Sequence, residues 1–86
     1  INNFNIYPNP FKEKATIEFN LNKDAEVSIE LIDVLGKKVS TILTQKSLSS
    51  NSTYQYEIQK NNLNKGMYFI KTTVNGNIKL ERVLIN

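Results

Sequence analysis

Apolar and polar residues alternate at every second position through most of this chain, and no stretch repeats apolar residues at helical spacing. Ala15, Ile17, Phe19 and Leu21 share one parity, while Thr16, Glu18 and Asn20 take the other. That pattern predicts a strand with one dry face. AEVSIEL repeats the device: Ala25, Val27, Ile29 and Leu31 face in, and Glu26, Ser28 and Glu30 face out. Asn22 to Asp24 supply turn chemistry between the two. In DVLGKKV, Asp33 and Gly36 predict a tight connection into VSTIL, with Gly36 at a positive φ that a side chain disfavours. The polar, serine-rich TQKSLSSNST reads as a strand end followed by a crossing loop of about ten residues. TYQYEI then resumes the alternation through Tyr54, Tyr56 and Ile58.

A polar loop with one apolar plug, Leu63, precedes a strand whose Tyr68, Ile70, Thr72 and Val74 share a face. Asn75-Gly76 is a strong hairpin signal, a type I′ turn leading into NIKLERVLIN. There Ile78 and Leu80 have one parity and Val83 and Ile85 the other, which predicts a β-bulge at Glu81 or Arg82. About seven short strands at roughly 8–12 residue spacing predict an all-β fold, an immunoglobulin-like or fibronectin III-like β-sandwich. Residues 1–86 form a single domain on this reading. Leu63, Gly66 and Tyr68 fit the corner before the penultimate strand of such folds, where the tyrosine hydroxyl bonds back to the loop; a plain core tyrosine is the other reading.

Composition narrows the chemistry. The 86 residues include no cysteine and no histidine, which removes disulfides, thiol nucleophiles and the usual zinc ligands. The net charge of +3 invites a nucleic-acid reading, but the lysines are scattered among acids and Arg82 is the one arginine. No phosphate-tracking stripe results, and no nucleic acid is expected as a partner. No apolar run approaches the roughly 18 residues that span a bilayer, so no transmembrane segment is expected. The chain starts at Ile1 without a charged and apolar leader, as expected of a piece of something longer.

Catalysis finds little support. The acids Glu18, Glu26 and Glu30 fall on the polar parity, and the adjacent Lys46 and Ser47 point to opposite faces of a strand. No phosphate loop or calcium-type acidic cluster is present, so no enzyme activity, catalytic residue, metal or cofactor is expected. Glycan binding has candidates in Tyr54, Tyr56 and Phe69, although Tyr54 and Tyr56 share a parity with the core residue Ile58. Asn51 opens an N-glycosylation sequon that ordinary loop composition also explains.

The segment YPNPF holds both prolines, at positions 8 and 10. Neither can donate to a sheet ladder, and each biases the residue before it toward extended geometry. A stiff, extended piece at a sheet edge is expected. It lets the chain step from one sheet to the other while Tyr7 or Phe11 plugs the gap.

Four motifs occur in order: YPNPF at 7–11, DVLGKKV at 33–39, LNKGMYFIKTTVNG at 63–76 and a final apolar and basic strand. Together they resemble the C-terminal sorting domain of type IX (Por) secretion cargo, type A, over residues 4 to 86. The resemblance implies a secretion signal at the end of a larger exported protein. It would direct a covalently fused upstream cargo through the type IX translocon and its shuttle, passing the periplasm to the outer membrane, cell surface or extracellular space. A C-terminal signal peptidase would then remove it around or just before Ile1 to Asn5. The matching positions are Tyr7, Pro8, Asn9, Pro10 and Phe11; Gly36 and Lys37; Gly66, Tyr68 and Gly76; and Lys79, Arg82, Val83, Leu84 and Ile85 of the terminal strand. Many members end in a basic residue, whereas this chain closes RVLIN. A monomer is expected, with an edge strand or an exposed terminal segment docking by strand addition. The alternatives are a carbohydrate-binding module or a spacer sandwich of a secreted enzyme.

Overall fold

A computed structural model describes the whole chain, Ile1–Asn86. Its elements are β1 (Asn2–Tyr7), β2 (Lys14–Asn20), β3 (Ala25–Ile32), β4 (Lys38–Leu48), β5 (Thr53–Gln59), β6 (Gly66–Val74) and β7 (Asn77–Ile85). They form two antiparallel sheets, β1-β2-β5 and β4-β3-β6-β7. Three strands face four in the immunoglobulin-like sandwich that the alternation predicts. No helix of the chain is long and apolar enough to cross a membrane.

The core lies where the inward parities of both sheets meet. Ala15, Ile17 and Phe19 of β2 and Val27, Ile29 and Leu31 of β3 are buried in one cluster with Ile58, Ile70 and Val83. Each of these valine, leucine and isoleucine side chains contributes about 1.5–3 kcal/mol through area removed from water. Phe19 anchors an aromatic group, with ring centroids 6.2 Å from Phe4, 5.7 Å from Tyr54 and 6.1 Å from Tyr56. Tyr54 and Tyr56 thus pack inward, while Phe69 lies on the outer face of the other sheet, so the three form no common glycan platform.

Two expectations change here. The serine-rich stretch is mostly strand: β4 runs to Leu48, and the connection shrinks to residues 49–52. Its polar side chains sit on an edge strand with repeated register shifts against β3, so exposure coexists with pairing. β7 carries no bulge. Its register against β6 is unbroken from Gly66↔Ile85 to Val74↔Asn77. The parity puzzle resolves because Ile78 and Leu80 are exposed, at 60% and 51%, on the outer face, while Val83 and Ile85 face the core. The irregular edge is at β1 instead, between Asn2 and Asn5, with Asn3 at φ 53°.

The turns follow their chemistry. Asp33 Oδ1 accepts hydrogen bonds from the Leu35 and Lys37 amides, both at 2.9 Å, and Gly36 takes φ +85°. Asn75 (φ 49°) and Gly76 (φ +85°) make the β6–β7 turn with the positive angles that a type I′ hairpin requires. Because successive strands reverse, connections 8–13, 33–37 and 60–65 and the C-terminal Asn86 gather at one end of the sandwich. Hydrogen bonds from Asn86 to Phe11 and from Lys60 to Glu13 tie that end together. The Asn75-Gly76 turn lies at the other end, bonded to Glu26.

Candidate functional site

The residues 8–11 strap and the end of β7 form one unit. After Tyr7 the chain bends through residues 8–10, with both X–Pro bonds cis, and reaches the rim of the opposite sheet at Phe11. The segment is therefore bent rather than extended. It also makes no transfer between sheets, because β1 and β2 lie side by side in the same one. The chain visits the second sheet and comes back.

That visit satisfies a sheet edge. The Leu84 N–H donates to Asn9 Oδ1 at 3.1 Å, and Asn9 Nδ2 donates to the Arg82 carbonyl at 3.2 Å. Beyond it, the Phe11 N–H donates to the Leu84 carbonyl at 3.0 Å and the Asn86 N–H to the Phe11 carbonyl at 2.8 Å. Prolines on either side cannot supply backbone donors, so the asparagine amide does the work of a strand. Phe11 is 1% exposed and is the plug; Tyr7 is 44% exposed and is not.

Tyr7 instead points into a polar trio on the outside of the β1-β2-β5 sheet. Its hydroxyl donates to Glu18 Oε1 at 2.9 Å, and Gln55 Nε2 donates to the same oxygen at 2.6 Å. The Gln55 bond, then the Tyr7 bond, hold the Glu18 carboxyl below its ordinary pKa. The bond to Glu18 in turn raises the Tyr7 hydroxyl, aided by desolvation and the carboxylate charge. Burial, with Tyr54 nearby, pushes Tyr56 up.

The remaining sequence-selected residues divide by location. Gly66 (φ +141°) opens β6, and the Tyr68 hydroxyl donates to the Asn64 carbonyl at 2.7 Å, which makes the tyrosine corner. Gly36 and Lys37 share the end that carries the strap, whereas Gly76 is at the far end. Val83 and Ile85 are core, so the terminal segment is no free tail; Leu84, between them, is 38% exposed. Lys79 pairs with Glu81 of the same strand at 3.7 Å. The selected positions thus form no pocket, and several of them shape the fold rather than its surface. Sequence reasoning passed over Val34 and Leu35, which project from the Asp33 turn at 58% and 90% exposure beside Lys37 and Lys38. Their signal was an apolar pair where a turn ordinarily carries polar residues.

The family model described as "Secretion system C-terminal sorting domain" matches residues 5–86, from within β1 through the end of β7. No curated protein matches the chain.

Proposed function

The chain belongs to the secretion-system C-terminal sorting domains, the address carried by type IX cargo, and on that premise we propose that the strap end of the sandwich is the surface its machinery reads. The function itself is that of a sorting signal for type IX secretion, and its cargo goes to the cell surface or the extracellular space. The observation that carries the function is the family match over residues 5–86.

The proposed readout consists of side chains that are presented without being needed in the core. These are Pro8, Asn9 and Pro10 of the strap, Arg82 and Leu84 of β7, and Lys37 of the Asp33 turn. Phe11, Gly36, Gly66, Tyr68, Gly76, Val83 and Ile85 hold the backbone or the core that presents them. Lys79 belongs to the open part of β7, nearer the far end. In this reading the domain crosses the periplasm fused to an upstream cargo and docks on the translocon and its shuttle. The signal peptidase then cuts ahead of β1, since a bond inside β1 is paired with β2.

The test fuses Ile1–Asn86 to a signal-peptide-bearing fluorescent reporter and compares strains with and without the type IX translocon. Surface delivery should require the translocon. Truncating residues 82–86 is a poor probe because it removes Val83 and Ile85 from the core. Leu84→Lys and Lys37→Glu alter exposed side chains and should retain cargo in the periplasm with the domain still folded. Full delivery of both variants would refute the strap-end reading, while translocon-independent delivery of the parent fusion would refute the sorting function.

A further inference from the structure

The strap closes only part of the β7 edge. In an unbroken antiparallel ladder, backbone groups alternate between the neighbouring strand and the free side. Both Leu84 groups face the strap, so even-numbered residues of β7 turn away from β6. Ile78, Leu80 and the Arg82 N–H therefore face an uncovered edge, and the Ile78 and Leu80 side chains are exposed beside it. The other edges are blunted. β1 is bulged, β4 shifts register repeatedly, and β5 lines its outer row with the exposed polar residues Thr53, Gln55, Glu57 and Gln59.

The open stretch is symmetric about Leu80. On its other face stand Lys79 and Glu81, one on either side of that residue. From this geometry we infer that β7 pairs with β7 of a second copy of the chain, antiparallel and centred on Leu80, through residues Ile78–Arg82. In that register Leu80 meets Leu80 of the second copy and exchanges both backbone bonds with it. Ile78 lies against the stem of Arg82, and Lys79 lies opposite Glu81 on each side of the two-fold axis.

An inward-facing lysine alone would resist strand addition. The acid two residues away makes it selective instead. Sliding the pairing by two residues sets Lys79 against Lys79 or Glu81 against Glu81, so only the register centred on Leu80 is complementary. A partner strand of other origin would have to supply an acid and a base at the same spacing in the opposite direction; a second copy carries both. The edge is short, which makes this a weak, concentration-dependent dimer rather than an obligate one. It departs from the monomer expected from sequence and does not rest on the strap-end reading.

Sedimentation of Ile1–Asn86 from roughly 10 μM to 1 mM spans the range in which a short edge associates. The mass should rise with concentration from that of the 9.9 kDa monomer toward the dimer. Lys79→Glu should weaken association roughly three- to thirtyfold, since two symmetric charge pairs turn repulsive. The double variant Lys79→Glu/Glu81→Lys should restore it, because the swapped charges again face opposites. Leu80→Pro should abolish association: it removes the outward N–H while the ladder to β6, made by odd-numbered residues, stays intact. Circular dichroism checks that each variant is folded. A monomer at every concentration would overturn the inference, as would a dimer indifferent to Lys79→Glu. If Leu80→Pro blocks cargo delivery while the parent chain stays monomeric, the edge receives a strand of the secretion machinery, and the second copy is excluded.

Discussion

Asn9 and Leu84 lie 75 positions apart, yet the Leu84 N–H donates to the Asn9 side-chain oxygen at 3.1 Å. With the return bond from Asn9 Nδ2 to the Arg82 carbonyl, one amide side chain fastens the first turn of the chain to its last strand. The flanking prolines gain a reason from this. They place an asparagine where a backbone strand would otherwise run, and remove donors that would have no ladder to join.

Replacing Asn9 with alanine should lower stability by about 1–2 kcal/mol, the cost of two hydrogen bonds partly recovered by water. Asn9→Asp keeps the acceptor for Leu84 and loses the donor to Arg82, so it should fall between. Hydrogen exchange gives the sharper reading. The Leu84 amide should lose protection in Asn9→Ala while the Phe11 amide keeps most of its own; unchanged protection at Leu84 would contradict the role assigned to Asn9.

Tyr68→Phe deletes the bond to the Asn64 carbonyl while keeping the buried ring. A loss of about 1–2 kcal/mol is expected, because the 60–65 connection then has an unpaired carbonyl near the core. Urea denaturation measures it. A change in the midpoint with an unchanged slope is the expected form.

Thr72 points in the other direction. It is 2% exposed, and its hydroxyl has no partner. Thr72→Val keeps the branched shape and removes the unpaired group, so it should raise stability by about 1 kcal/mol. The same denaturation experiment decides the sign.

The Tyr7, Glu18 and Gln55 trio predicts a pH dependence at each end of the scale. Folding depresses the Glu18 pKa, so its contribution is present above the unfolded carboxylate value and is lost as pH falls through the folded one. Folding raises Tyr7, so its contribution is present below the unfolded tyrosine value and is lost as pH rises through the folded one. Carbon-detected NMR titration should show the Glu18 midpoint moving up in Gln55→Ala, and by less in Tyr7→Phe. Equal midpoints in all three proteins would rule out this account.

Strand parity was legible in sequence wherever one face is buried and the other wet. Ala15, Ile17 and Phe19, and likewise Val27, Ile29 and Leu31, alternate because water and core impose opposite demands on successive residues. The turns at Gly36 and Asn75-Gly76 were legible for a local reason, since their positive φ angles restrict residue choice directly. The tyrosine corner stayed open between two readings until the hydroxyl could be placed on Asn64.

What the linear pattern misjudged lies at the edges. Ile78 and Leu80 read as core partners that had lost their phase, but hydrophobicity records what a residue prefers and not whether a second layer covers it. The polar run around Leu48 read as a strand end giving way to a crossing loop, because an edge strand can pair on one side and be wet on three. The order of the strands in two sheets brought Asn9 to Leu84 and left Ile78 to Arg82 open. By itself the sequence determined which residues alternate and where the chain turns, both local consequences of sterics and solvation. Only the tertiary structure decided which edges are covered, because a backbone donor finds a partner or water according to what the rest of the chain brings beside it.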